Sequence, residues 1–167
     1  MKTTILAIAA AAVAAATLAA PARAEIIYFD MTGYATGSCQ AALPAFEGQI
    51  RKRPLALQNE GTAAAFVTCS PQTFTRLYDR VLGMNIELLN NGTAAVTISC
   101  TGVSPAAGGP LYVSKSYTVA AGGIGFFNFS YDTDGFINGS VSCQLPPGAG
   151  LSRIQLHSEA LYGENPY

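Results

Sequence analysis

The sequence predicts an all-β chain, folded as a two-sheet antiparallel β-sandwich of immunoglobulin-like or jelly-roll-like type. Three observations carry that expectation. Apolar and polar residues alternate in short runs along most of the chain, the period of strands with one buried face. Clusters of Gly, Pro and Asn punctuate these runs, as turns between strands require. A strand–turn–strand phrase also occurs twice, as "NEGTAAAFVTCS" at 59–70 and "NNGTAAVTISCT" at 90–101.

The chain opens with "MKTTILAIAAAAVAAATLAAPARA", a basic start at Lys2, an Ala-rich apolar run and the small-residue end Ala22-Arg23-Ala24. This is the pattern of a secretory signal peptide at residues 1–24. Residues 25–167 then form a single β-sandwich domain, starting at Glu25, without a transmembrane anchor. "GYATGS" at 33–38 reads as a flexible lead-in to Cys39.

The repeat aligns Leu55–Ser70 on Ile86–Thr101 without gaps. It matches Leu57 with Leu88, Asn59 with Asn90, Gly61 with Gly92 and Cys69 with Cys100. In the first copy Leu55 and Leu57 share a face, and Ala63, Ala65, Val67 and Cys69 share another. In the second, Ile86 and Leu88 precede Ala94, Val96, Ile98 and Cys100. Two copies are too few for a solenoid. They read as two equivalent turns of one sandwich, with Asn and Gly supplying the turn chemistry. Between the copies, "SPQTFTRLYDRVLG" predicts a short helix near 71–82. Pro71 stands at its first position, Gly83 lies beyond its end, and Phe74, Leu77, Tyr78 and Val81 have helical spacing.

Further strands follow. "LYVSKSYTV" sets Tyr112 and Ser114 against Val113. "GFFNFSY" puts Phe127, Phe129 and Tyr131 on one face and Phe126, Asn128 and Ser130 on the other. "SVSCQL" groups Val141, Cys143 and Leu145, and "RIQLHSEALY" supplies a last strand with Ile154 and Leu156 buried.

Composition narrows the function. Charged residues make up 11% of the chain. Without Lys2 and Arg23, seven basic residues face ten acidic ones, a net charge of about −3. That balance attracts neither nucleic acid nor an anionic membrane. Four cysteines in an exported chain read as two disulfides, because no C-x-x-C pair is present and His157 is the single histidine. The pairing expected is Cys39–Cys69 and Cys100–Cys143, with Cys69–Cys100 the principal alternative. Cys100 faces with Val96 and Ile98, and Cys143 with Val141, so both are core-facing on separate strands. That arrangement suits a bridge between the two sheets.

Cys39, "LPAFEGQIRKRPL" at 43–55, "NEG" at 59–61, "AFVTCS" at 65–70, "ISCT" at 98–101 and "SCQLPPG" at 142–148 resemble a group of small secreted bacterial proteins of uncharacterised role. The resemblance covers most of the mature chain. It implies export and a β-rich domain, and it implies no activity or site residues.

The remaining motifs have plain readings. "RKR" at Arg51–Arg53, before Pro54, reads as the charged guard of an edge strand. "YDTDGFING" copies the middle of a calcium loop through Asp132, Asp134, Gly135 and Asn138. It lacks the first Asp and last Glu, where Ser130 and Val141 stand, and reads as a polar turn. Asn91-Gly-Thr, Asn128-Phe-Ser and Asn138-Gly-Ser match the glycosylation pattern, and the first and third fit turn chemistry equally well. No catalytic residue, metal ligand or cofactor site emerges, and His157 reads as a surface residue. Phe126, Tyr112, Tyr117 and Tyr131 are candidates for a sugar-stacking platform, with core packing the competing use of aromatics. The sequence thus predicts a secreted or periplasmic, non-catalytic envelope or extracellular interaction module, with a protein or glycan partner. A carbohydrate-binding module, a pilus-like subunit and a small secreted hydrolase are the alternatives.

Overall fold

The alternating segments become strands, and the chain crosses repeatedly between two antiparallel sheets. The computed structural model describes residues 25–71, 80–105, 108–137 and 139–162. The expected signal peptide, residues 72–79 of the expected helix and Asn138 lie outside them. Ile27–Ala160 form one packed unit; the described residues of the other are the strand ends at 25–26 and 161–162.

One sheet has the order β3 (Ile50–Arg53), β4 (Ala56–Asn59), β11 (Ala149–Tyr162), β6 (Arg80–Asn90), β9 (Ile124–Ser130), and β1 (Glu25–Tyr34) also pairs with β11. The other runs β2 (Cys39–Ala41), β5 (Ala65–Cys69), β10 (Ser140–Leu145), β7 (Val96–Ser104), β8 (Leu111–Val119). Three single helical turns complete the described elements: α1 (Ala35–Ser38), α2 (Pro44–Glu47) and α3 (Tyr131–Asp134).

Three local expectations are corrected. Residues 80–82 are not helical; they begin β6, because their backbone pairs with β11 through Arg80–Glu159 and Val81–Ser158. Part of "GYATGS" is an ordered turn, α1, with Ala35 fully buried. Leu55 also departs from its expected face. It sits in the turn after Pro54 and is 60% exposed, whereas Leu57 is fully buried.

The core lies between the sheets. Val67, Ile98, Val141 and Leu145 enter it from one side, and Met84, Ile86, Leu88, Phe129 and Leu151 from the other. Burial of each such side chain contributes roughly 1.5–3 kcal/mol. Phe136, which follows α3, is fully buried against Phe129, with ring centroids 5.5 Å apart. Both rings lie over Gly102. A Cβ there would come within 2.9 Å of Phe136 and 3.0 Å of Phe129, so the close approach demands glycine.

The cysteines pair as Cys39–Cys69 and Cys100–Cys143. The expected location of the second bridge is corrected. It does not join the two sheets: Cys100 and Cys143 are directly opposite on β7 and β10, and Cys39 and Cys69 are opposite on β2 and β5. Both bridges therefore lie within the five-stranded sheet, on its inner face. The strand alternation was read correctly, but core-facing cysteines can meet sideways as well as across the core.

The repeated phrase has a shared structural cause. Each copy carries the chain from the six-stranded sheet to the five-stranded one, β4 to β5 and β6 to β7. Asn59 and Asn90 end the first strands and are fully buried. Each accepts a bond from the backbone N–H two residues on, Gly61 or Gly92, at 2.9 Å. Each also donates to the carbonyl four residues on, Ala63 or Ala94, at 2.8 Å. They then reach the opposite sheet. Asn59 donates to Leu145 O of β10 at 2.7 Å, and Asn90 to Val119 O of β8 at 3.1 Å. The two asparagines clamp the sandwich at its crossings.

Arg51, Lys52 and Arg53 form β3, which ends the six-stranded sheet. Arg53 is ion-paired with Glu60, and Arg51 donates to Glu47 O at 3.3 Å. These charges line an edge strand, where they oppose pairing with another chain.

Candidate functional site: the outer face of the six-stranded sheet

Alternation sends every second side chain of β1, β6, β9 and β11 outward. Register then assembles them into rows. Glu87 lies opposite Phe126, Asn85 lies between Asn128 and Gln155, and Gly83 lies between Ser130 and His157. The register shifts twice: β11 carries an extra residue between Leu151 and Ile154, and β6 carries one, Leu82, opposite the step from His157 to Ser158.

Phe126 is 55% exposed and Ile124, two residues earlier on the same face, is 64% exposed. Phe127 and Phe129, which alternation sets on the opposite face of β9, are in the core. Beside the Phe126 ring lies a shallow cavity of about 140 Å³, lined by Asn85, Glu87, Phe126, Arg153 and Gln155. Arg153 is ion-paired with Glu87 at 2.7 Å, so the wall carries charge without net excess.

A hydrogen-bond row crosses the face from β9 to β1. Asn128 donates to Asn85 Oδ1 at 2.6 Å, and Asn85 Nδ2 lies 2.8 Å from His157 Nε2. His157 Nδ1 meets Asp30 Oδ1 at 2.6 Å, and Gln155 donates to Asp30 Oδ2 at 3.1 Å. Both imidazole nitrogens are engaged, so His157 is positioned to order its neighbours. Larger cavities exist elsewhere. One of about 330 Å³ adjoins Met31, Gly37 and Leu156, and one of about 440 Å³ lies beside Glu47, Ile50 and Lys52. Among the described residues, the first is lined by exposed Tyr34 and by Ser38, whose hydroxyl donates to Tyr34 O at 3.4 Å, without a row of bonded side chains, and no aromatic ring lines the second.

The four aromatic candidates do not form one platform. Tyr112, 64% exposed, belongs to β8 in the other sheet. Tyr117 stands edge-on to Phe127 at a centroid distance of 6.5 Å, and Tyr131 begins α3. Only Phe126 shares a face with the polar row. Asp30, Asn85 and Gln155 were missed in the sequence. Their alternation was legible, but their convergence depends on which strands become neighbours.

Asp132 and Asp134 lie in α3, capped by Ser130, whose Oγ accepts from Thr133 N, and closed by left-handed Gly135 at φ 68°. Asp134 accepts from Lys115 Nζ at 2.6 Å and Ser130 N at 3.0 Å. Its carboxylate is thus committed to an ion pair and a backbone bond. Among the described residues no three His, Cys, Asp or Glu side chains group to hold a metal. Burial alone would raise the Asp134 pKa, but the bonds from Lys115 and Ser130 and the Lys115 charge outweigh it and hold the carboxyl below its ordinary value. A lowered folded-state pKa stabilises above the unfolded value and is lost as pH falls through the folded one. Stability should therefore decline below about pH 4. Asp134→Asn should flatten part of that decline in acid-titrated thermal melts, and an unchanged profile would remove the pair as its source.

No protein-family model matches the chain. No curated protein matches it. Several solved structures are similar to it over most of its length. A Bacillus endospore-appendage structure from a family of disulfide-linked pili is 10% identical, with TM-score 0.35, covering 85% of this chain and 93% of that one. A family 11 carbohydrate-binding module from Clostridium thermocellum, in complex with a β-1,3-1,4-mixed-linked tetrasaccharide, is 9% identical with TM-score 0.40, covering 83% and 91%. A family 61 module, TmCBM61, in complex with β-1,4-galactotriose is 11% identical with TM-score 0.33, covering 81% and 88%. Identities and scores this low have no bearing on what this chain binds. Among the described residues no helix is long and apolar enough to cross a membrane.

Proposed function

We propose that the protein is an exported, non-catalytic binding module whose outer six-stranded face holds a neutral glycan. The observation that carries this reading is the exposed ring of Phe126 beside a cavity edged by Asn85 and Gln155. Sugar rings have apolar C–H faces and a rim of hydroxyls. A flat exposed ring supports the first, and side-chain amides, each able to donate and accept, suit the second. Arg153 is ion-paired with Glu87, and the Asp30 carboxylate is hydrogen-bonded by His157 and Gln155, so among the described residues the face offers no free cation and favours a neutral over an anionic sugar. The two disulfides support an oxidising, non-cytoplasmic location.

The test is affinity electrophoresis through gels containing soluble neutral polysaccharides, with wild-type protein and Phe126→Ala. Retardation by at least one polysaccharide is expected. Phe126→Ala should weaken it about tenfold or more, through lost stacking, while leaving the melting temperature nearly unchanged. Equal retardation of both proteins, or none for wild type across the panel, would reject the reading.

A further inference from the structure

Building on the glycan-face reading, we infer that His157 sets the donor–acceptor direction of the amide row, so that the face presents one hydrogen-bond pattern with a neutral imidazole and another with a protonated one. The geometry fixes the neutral arrangement. Asn128 Nδ2 donates to Asn85 Oδ1, which leaves Asn85 Nδ2 facing His157 Nε2. An amide nitrogen can only donate, so Nε2 accepts and the ring proton sits on Nδ1, donating to Asp30. Gln155 donates to the same carboxylate. The row therefore runs in one direction, with every bond pointing toward Asp30, and such chains polarise cooperatively.

Protonation adds an N–H at Nε2, where an amide N–H already points. The Asp30 bond keeps its direction, because Nδ1 already donates, and becomes charge-assisted. Asn85 removes the clash by turning its amide half a revolution, offering Oδ1 to His157. Its Nδ2 then faces Asn128, which must turn likewise. One proton thus reverses two amides, and a ligand hydroxyl placed against either meets the opposite partner. Groups facing the imidazole are Asp30 from β1, Asn85 from β6 beside the bare Gly83, and Gln155 and Glu159 along β11. Arg153, on the same face, is held by Glu87.

The experiment is an NMR pH titration of ligand-free, ¹⁵N-labelled protein, followed through the His157 ring nitrogens and the Asn side-chain amides. At high pH the ring should be the Nδ1–H tautomer. The amide signals of Asn85 and Asn128 should then shift with the His157 midpoint. In His157→Gln both amides should stay fixed across that range, because glutamine can donate to Asp30 and accept from Asn85 without titrating. An Nε2–H tautomer, or an Asn128 amide indifferent to the His157 midpoint, would overturn the inference. Affinity electrophoresis in the retaining polysaccharide adds a second arm: wild-type retardation should change across the midpoint and that of His157→Gln should not. Coupled amides without polysaccharide binding would reject the glycan reading and leave the row intact. Binding that is flat with pH in both proteins would reject the inference and leave the glycan reading intact.

Discussion

Replacing Asn90 with alanine is expected to cost about 2–4 kcal/mol of unfolding free energy, the largest effect of any single uncharged substitution considered for this chain. The Asn90 side chain is fully buried: its Oδ1 accepts from Gly92 N, and its two amide protons are shared among Ala94 O, Val119 O and Ala120 O. Alanine fills none of these, and leaving a buried polar group unpaired costs roughly 1–3 kcal/mol. The loss falls where the chain passes between sheets, so it loosens both the β6–β7 crossing and the returning β8–β9 crossing. Asn90→Asp should be worse, since it sets a carboxylate against three carbonyl oxygens. Asn91 is the internal control. It is exposed, and among the described residues its side chain bonds only to Gln58 Oε1, at 3.1 Å, so Asn91→Ala should change stability by less than about 0.5 kcal/mol. Urea unfolding with the disulfides intact measures all three. Equal midpoints for Asn90→Ala and Asn91→Ala would mean that the buried clamp contributes nothing.

Removing the Cys100–Cys143 bridge by a double alanine substitution should lower stability by about 3–5 kcal/mol. Its ends are 43 residues apart, and the chain-entropy estimate for closing such a loop is about 4 kcal/mol, an upper value where the unfolded chain retains structure. Both sulfurs are buried at the centre of the five-stranded sheet, so the truncation also leaves space in the core. The Cys39–Cys69 bridge spans 30 residues, and its entropy term is nearly the same, about 3.7 kcal/mol. Its setting differs, because it tethers a three-residue strand at the sheet edge. Without it, β2 should fray before the rest unfolds. Hydrogen exchange should therefore rise locally in residues 39–41 of the edge variant, and across β7 and β10 only through global opening in the central one. Uniform exchange changes in both variants would show that the two bridges act alike.

The strand content, the turns and the inward-facing residues were legible in the sequence because they depend on a local rule. A period of two sets Phe127 and Phe129 on one face and Phe126 on the other, and the fold buries the first pair. The same rule placed Cys100 and Cys143 on a buried face, and the repeat marked Asn59 and Asn90 as equivalent. Facing, however, says nothing about neighbours. Only the tertiary structure decided that the cysteines meet within one sheet, because that depends on β10 inserting between β5 and β7. It also turned two expected turn residues into buried clamps, since the carbonyls they reach lie 29 and 86 residues away along the chain. The polar row had the same origin. Asp30 and His157 are 127 residues apart, and they share a hydrogen bond only because β1 lies against β11. Periodicity is written in each segment. Strand order is set by the combined burial and pairing of all of them.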